Sequence, residues 1–176
     1  MNEDTNKSKS SRTINFSVII CSSSLYQQFK ENENFVTDSL DLIVDLVTDA
    51  GHQVVSTQFM PDDRVMLTKQ VGNAISSNII DVIIVCGGTG LSVSEITLEA
   101  LRPLMIKTMP GFAEILRKLY YDKFGSTAII SRALAGITDQ QKILFCIPNS
   151  PDSINLAFKK LILPEIGNLS AHEREH

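Results

Sequence analysis

The sequence predicts a doubly wound α/β domain, with a mostly parallel sheet and helices on both of its faces. The chain has 176 residues, which is enough for one core. Hydrophobic residues make up 43% of it and charged residues 20%, as is usual in globular proteins. Apolar runs alternate with helical patterns, and the order strand, helix, strand, helix, strand is typical of parallel sheets.

The first half of the chain is expected to alternate strand, helix, strand, helix and strand, at residues 14–21, 37–50, 53–59, 63–77 and 79–86. The first and last runs are apolar and rich in β-branched residues, as in strands that are covered on both faces. Leu40, Ile43 and Val47 recur at helical spacing, and Gly51 supplies a stop after them. Asp63 is placed to cap the second, weaker helix.

The second half is predicted to hold a helix, two short strands, a buried strand and a last helix, the first four at residues 110–123, 128–130, 134–137 and 143–147. Phe112 and Ile115 lie on one side of the first helix. Ser150 is expected to cap the last helix with Pro151 in its first turn, and that helix should end before Pro164.

Polar, unpatterned residues flank this body. Residues 1–12 and 167–176 are predicted tails around one domain of residues 13–166. The polar beginning of the sequence does not have the pattern of a secretory signal, and no apolar run approaches the roughly 18 residues that cross a bilayer. We therefore expect no membrane partner.

Composition excludes several classes of function. A net charge of -4 and a pI near 5.3 argue against nucleic-acid binding, which needs an excess of basic residues. Of three histidines only His52 lies in the body of the chain, so a His-based zinc site or Ser-His-Asp catalysis is not expected. Cys21, Cys86 and Cys146 cannot all pair, which favours free core thiols in a reducing, cytoplasmic setting.

Small polar residues follow three of the predicted strands: Ser22 and Ser23, the glycine loop (residues 87–90, Gly-Gly-Thr-Gly), and Asn149 with Ser150. In open α/β sheets, ligands bind beyond the carboxyl ends of the strands. Small residues there let backbone N–H groups approach an anion, which predicts a ligand that carries phosphate. The alternative is that the glycine loop is a tight turn needing positive φ. It matches neither a Walker loop nor the GxGxxG fingerprint.

Two acidic residues are candidates for this site. Asp62 follows the second strand, and Glu95 lies five residues beyond Gly90. Near phosphates such carboxylates would chiefly hold Mg²⁺. Glu95 could instead favour a helix N-terminus by its charge. Arg132 is open to two interpretations, an ion pair or a fork for phosphate, while Tyr120 is assigned to an interface rather than to the site.

Several motifs in order resemble the MoaB/Mog family of molybdenum cofactor biosynthesis, over roughly residues 14–166. They are Pro-Asp-Asp at 61–63, the glycine loop, Ile-Thr-Leu-Glu-Ala at 96–100, Pro-Gly-Phe-Ala-Glu-Ile-Leu-Arg at 110–117, Ser-Arg-Ala-Leu-Ala-Gly at 131–136 and Pro-Asn-Ser-Pro at 148–151. The resemblance implies a doubly wound fold and a homotrimer or homohexamer. It also implies binding of molybdopterin, whose terminal phosphate active members adenylylate with ATP and Mg²⁺, releasing pyrophosphate.

The resemblance also implies roles for individual residues. Asp62 and Glu95 would be catalytic and would hold Mg²⁺. Molybdopterin would be bound by Gly87, Gly88, Thr89, Gly90, Ser131, Asn149 and Ser150. Candidates for the nucleotide or the rest of the pocket are Ser22, Ser23, Pro110, Gly111, Glu114 and Arg132.

The sequence departs from the family where the acidic machinery should be. Glu95 stands where the family usually has Asp, Ser94 replaces a basic residue, and Asn149 replaces the Gly of Pro-Gly-Ser-Pro. Two functions follow: a molybdopterin adenylyltransferase, or a molybdopterin-binding protein of the same pathway without catalysis. A third hypothesis, a flavodoxin-like binder of another phosphorylated ligand, would give yellow protein if that ligand were a flavin.

Overall fold

The structure is a computed structural model that describes residues 12–172. Its six strands are β1 (Asn15–Cys21), β2 (Gln53–Met60), β3 (Val82–Cys86), β4 (Met105–Thr108), β5 (Leu134–Thr138) and β6 (Ile143–Ile147). Its α-helices are α1 (Ser23–Glu31), α2 (Asp38–Asp49), α3 (Arg64–Ile75), α4 (Thr97–Leu101), α5 (Pro110–Phe124), α6 (Pro151–Ala157) and α7 (Leu163–His172).

The strands form one sheet in the order β2-β1-β3-β6-β5-β4. The four strands β2, β1, β3 and β6 run parallel, β5 is antiparallel to β6, and β4 is antiparallel to β5. The predicted mostly parallel α/β fold is confirmed. The carboxyl ends of the four parallel strands therefore lie along the same edge of the sheet.

Helices cover both faces of the sheet, and alternate residues of each strand point to opposite faces. On one face Val18 and Ile20 of β1 pack with Ile43 of α2 and with residues of α5, α6 and α7. On the other face Ile19 packs with Leu67 of α3 and with α4. None of the helices over residues 12–172 combines the length and the apolarity needed to cross a bilayer.

Two predicted elements differ from the structure. Residues 128–130 are not a strand; they belong to a 3₁₀ helix, Gly125–Ile130, that continues from the end of α5. The last helix does not end before Pro164. A π turn at Phe158–Ile162 joins α6 to α7 without a break in the helical backbone, and Pro164 is the second residue of α7.

The end of the chain also differs from the prediction. Residues 167–172, predicted to be a tail, are helical, and Ile166 and Ser170 are buried. Residues 1–11 and 173–176, the remainder of the predicted tails except Arg12, lie outside the described part of the chain. Arg12 itself forms an ion pair with Asp81 at 3.0 Å. Three further elements, α1, α4 and the exposed edge strand β4, were not predicted from the sequence.

Candidate functional site

A cleft of about 590 Å³ opens at the carboxyl ends of the parallel strands. The turns after β1, β2, β3 and β6 form one side of it, and α5 and the segment before β5 form the other. It brings together eleven of the residues predicted from the sequence: Ser22, Asp62, Gly87, Gly88, Thr89, Gly90, Glu95, Ser131, Arg132, Asn149 and Ser150. Turns that are distant along the chain therefore face a single space.

The glycine loop is fixed by close backbone contacts. Gly87 and Gly88 have φ of +101° and +62°, so the predicted tight turn of positive φ is present. A Cβ at Gly87 would lie 2.3 Å from the carbonyl oxygen of Cys21, and one at Gly88 would lie 2.3 Å from Oγ1 of Thr97. The N–H groups of Gly88 and Thr89 donate to no acceptor among residues 12–172. The loop lines the cleft, and these two N–H groups are left without a partner among residues 12–172.

Arg132, which itself lines the cleft, holds this loop in place. Its Nε donates to the carbonyl oxygen of Thr89 at 2.8 Å, and one Nη donates to that of Gly90 at 2.7 Å. The other Nη forms an ion pair with Glu99. The hydrogen bond from Arg132 to Glu99 within this ion pair is the main reason why the pKa of Glu99 is lowered. Of the two interpretations of Arg132, the structure therefore shows the ion pair. Its guanidinium group donates to protein acceptors rather than being left free for a phosphate.

The two acidic candidates line the cleft, but their oxygens already have donors. Oδ2 of Asp62 accepts hydrogen bonds from the backbone N–H and the hydroxyl of Ser23, at 2.9 and 2.8 Å. Its Oδ1 accepts a weak bond from the Cys21 thiol, at 3.7 Å. The two oxygens of Glu95 accept from the N–H groups of Gly90 and Ser92, at 3.0 and 3.3 Å. Both carboxylates therefore fix backbone turns.

The arrangement offers Mg²⁺ few protein ligands. Of the four carboxylate oxygens only Oδ1 of Asp62 lacks an N–H or hydroxyl donor. Within residues 12–172 no three His, Cys, Asp or Glu side chains are grouped so that they could hold a metal. A Mg²⁺ ion held by Asp62 and Glu95 would therefore take most of its ligands from substrate phosphates and water, as this ion commonly does.

A cluster of hydroxyls and aromatic rings joins α5 to the turn after β6 at the cleft; its members Tyr120, Phe124 and Ser153 were not predicted for the site, whereas Ser150 was. The Tyr120 hydroxyl contacts those of Ser150 and Ser153, which lie 2.6 Å from each other. The Phe124 ring lies beside that of Tyr120, with centroids 5.3 Å apart. Burial is the main reason why the pKa of Tyr120 is raised. Tyr120 was expected at an interface. Its spacing of four residues from Phe124 indicates that the two rings lie on the same side of α5, and this was the signal that could have placed them together.

Asn149 and Thr97 each bury a polar atom that has no partner. Oδ1 of Asn149, in the cleft, and Oγ1 of Thr97, beneath the glycine loop, accept no hydrogen bond in the described part of the chain. Buried polar atoms are usually paired, so an unpaired one next to a cleft is a notable exception. Asn149 thus adds an unsatisfied polar group beside the glycine loop, at a position where the family has glycine.

Four predicted pocket residues do not line the cleft. Ser23 begins α1 and bonds to Asp62. Pro110 and Gly111 form the first turn of α5, and Gly111 has open space around its Cα. Glu114 lines a different, largely apolar depression with Tyr121 on the outer surface of α5. The motif from 110 to 117 therefore serves the start of a helix rather than this site.

The cysteines are free and buried, as expected. Cys21 lies at the floor of the cleft, where desolvation raises the pKa of its thiol from 9.0 to about 11. The pKa values of Cys86 and Cys146 are raised further by the same cause. A thiol with such a pKa is a poor nucleophile at neutral pH, which leaves these residues a structural role.

Comparison with known proteins identifies the family. A family model described as a probable molybdopterin binding domain matches residues 17–168. Molybdenum cofactor biosynthesis protein B of Bacillus cereus is 36% identical over 130 residues, covering 73% of this chain and 76% of the relative. The protein of that name from Staphylococcus aureus strain COL is 41% identical over 124 residues, 70% of each chain.

Solved structures agree with the sequence relatives. A crystal structure of molybdenum cofactor biosynthesis protein B has a TM-score of 0.82 and 29% identity, over 94% of this chain and 98% of that one. The tungsten cofactor synthesizing protein MoaB from Pyrococcus furiosus also has a TM-score of 0.82, with 28% identity over 93% and 99% of the two chains. The resemblance seen in the motifs is confirmed: the chain belongs to the MoaB/Mog family of molybdopterin-binding domains.

Proposed function

We propose that this protein serves molybdenum cofactor biosynthesis by binding molybdopterin in the cleft, with the phosphate on the amides of the glycine loop. The observation that carries the proposal is that Gly88 and Thr89 line the cleft while their N–H groups have no acceptor among residues 12–172. Consecutive free amides in a loop of positive φ form an anion-binding concavity. The names of the relatives support the identity of the anion.

The aromatic residues of α5 and the polar side chains near them support a ring system on the same ligand. Tyr120 and Phe124 offer aromatic faces, and the hydroxyls of Ser150 and Ser153 with the amide of Asn149 offer polar groups beside them. A pterin has a flat face and an edge of donors and acceptors, so it matches an arrangement of this kind. The unpaired Oδ1 of Asn149 would gain a donor from that edge.

A second candidate function is adenylylation of the bound phosphate. In that reaction a phosphate oxygen of molybdopterin bonds to the α-phosphorus of ATP, the bond to the β-phosphate breaks, and pyrophosphate leaves. Asp62 and Glu95 favour it, because both carboxylates line the same cleft as the glycine loop. The hydrogen bonds of Glu95 to the N–H groups of Gly90 and Ser92 count against it, since they engage the carboxylate in holding a turn.

The two candidates are separated by calorimetry and a product assay on one preparation. Titration with molybdopterin in the absence of ATP and Mg²⁺ should show one site per chain, and Gly88→Ala should abolish it. Gly72→Ala, a helical position with open space, is the matched control. Absence of binding to the parent protein would reject the proposed function.

Adding MgATP and measuring pyrophosphate then tests the second candidate. Turnover that rises in Glu95→Asp, which restores the family's residue, would establish adenylyl transfer. No pyrophosphate from either form, with binding intact, would leave binding without catalysis.

We further propose a cytoplasmic homotrimer or homohexamer, as the resemblance implies; sedimentation velocity showing a monomer would reject the assembly.

A further inference from the structure

A second pocket, of about 460 Å³, lies on the surface beside Arg132. Six residues line it, and three of them are arginines: Leu98, Glu99, Arg102, Arg117, Arg132 and Ala133. We call it the arginine pocket. Arg117 and Arg132 belong to the motifs quoted above and Arg132 also lines the cleft, but no role was assigned to Arg102 or Arg117, in a chain whose net charge is -4.

The arginine pocket carries uncompensated positive charge. Glu99 is its one acidic lining residue, and Glu99 is already paired with Arg132. Three guanidinium groups against one carboxylate leave two positive charges. Neither Arg102 nor Arg117 forms an ion pair with any acidic group among residues 12–172. The pocket therefore attracts an anion of about two charges.

Arg117 is held in position to receive it. This residue is half-buried on α5, and its Nε donates to the carbonyl oxygen of Ser131 at 3.3 Å. One bond at Nε orients the planar group and leaves both Nη atoms available, since they donate to no described acceptor. A guanidinium fixed in this way binds the two oxygens of a phosphate with little further loss of entropy.

Glu99 does not compete for the remaining arginines. The hydrogen bond from Arg132 chiefly, and the charges of Arg132 and Arg64 in addition, keep its carboxylate ionised and engaged. Arg102 is exposed and makes no side-chain hydrogen bond in the described part of the chain, so it is free to turn toward a bound group. We propose that the arginine pocket is a second anion site, which binds a phosphate group through Arg102 and Arg117.

The ligand class is a phosphate dianion, either free or on a small molecule, and the probes are inorganic phosphate and pyrophosphate. The arginine pocket shares Arg132 with the cleft, but the two residues proposed to bind phosphate, Arg102 and Arg117, do not line the cleft. Its test therefore needs a readout that belongs to these side chains alone. The Nε–H resonances of arginine in ¹⁵N-labelled protein provide one.

Titration with phosphate should shift the Nε–H signal of Arg117 and saturate. Arg102→Gln and Arg117→Gln should each weaken that binding about 10-fold or more, the loss expected for a charge-assisted hydrogen bond. Arg117→Lys should recover part of it, because it keeps the charge without the fork. Lys118→Gln, which removes the same charge from an exposed neighbour on α5, should have no effect.

Three outcomes would overturn the proposal. The first is no saturable shift at Arg117 with either probe. The second is equal weakening by Lys118→Gln, which would mean that phosphate responds only to net charge. The third is a changed sedimentation coefficient in Arg102→Gln without phosphate binding to the parent, which would make the pocket a contact between subunits. Molybdopterin binding in the cleft would stand in all three cases.

Discussion

Replacing Gly87 by alanine should be one of the most damaging single changes in this fold. The new Cβ would lie 2.3 Å from the carbonyl oxygen of Cys21, at the end of β1, and 3.4 Å from Cβ of Asn149. Neither neighbour is a flexible side-chain end, so the backbones of β1 and β3 must separate. At the same time alanine would have to adopt a φ of +101°, a conformation that L-residues rarely take.

The cost follows from these two effects. A sparsely populated φ costs on the order of 1–3 kcal/mol, and forced overpacking costs about 1–3 kcal/mol more. The free energy of unfolding should therefore fall by roughly 2–6 kcal/mol, which for a chain of this size lowers the Tm by roughly 5–20 °C. Urea denaturation followed by circular dichroism measures the first quantity, and thermal melting measures the second.

The same substitution elsewhere supplies the control. Gly72 lies inside α3 with no atom within 4 Å of the added Cβ, so Gly72→Ala should gain up to about 1 kcal/mol from helix propensity. If the free energy of unfolding of Gly87→Ala fell by less than about 1 kcal/mol, the backbone at Cys21 would have to move aside at little cost. The rigidity assigned to the glycine loop would then be wrong.

Three further changes have defined outcomes. Arg132→Lys keeps the charge but loses the fork to the carbonyl oxygens of the glycine loop, so urea denaturation should show a loss of about 1–3 kcal/mol. Tyr120→Phe should cost about 1 kcal/mol or less, because the two serine hydroxyls remain bonded to each other; a larger loss would contradict this. Because the pKa of the Cys21 thiol is raised from 9.0 to about 11, the folded state keeps a proton that the unfolded chain releases. The free energy of unfolding should fall between pH 9 and pH 11, by up to about 1.4 kcal/mol per pH unit for this thiol, and Cys21→Ala should flatten the decline.

Elements with buried, regular patterns were predictable from the sequence. β3 and β6 are fully buried apolar runs, and Thr37, Asp63 and Ser150 cap helices as their residue types indicate, each accepting from the N–H three residues on. Each of these signals is local. Burial and capping act through residues that are close in sequence, which a pattern can report.

The missed elements have weak local signals. α1 has no buried residue and β4 is exposed along most of its length, so neither shows the apolar pattern of a buried element. The continuation of the last helix past Pro164 depends on the π turn before it, a backbone irregularity that no residue type announces. Residues 128–130 were predicted as a strand because a short apolar run suits strand and helix equally.

In the candidate site, too, some residues were predictable from the sequence, whereas the contacts between residues distant in sequence were not. Strand ends indicated the glycine loop and Ser150, because parallel strands bring their carboxyl ends to one edge. The partners of Arg132, which lie 33 to 43 residues away in sequence, could not be derived from spacing. Nor could the hydrogen bonds that commit Asp62 to Ser23, since the sequence shows an acid but not the donors that occupy it.

The sheet order has a consequence for how this protein melts. β3 lies between β1 and β6, so the turns around the cleft come from chain segments that are brought together only when the three strands have paired. A ligand held by those turns has no partial site on a fragment, and it stabilises the folded state by about 2.7 kcal/mol when present at 100 times its Kd. Hydrogen exchange of the backbone amides at the centre of the sheet should then become slower as more of the protein binds ligand, although none of these amides touches the ligand.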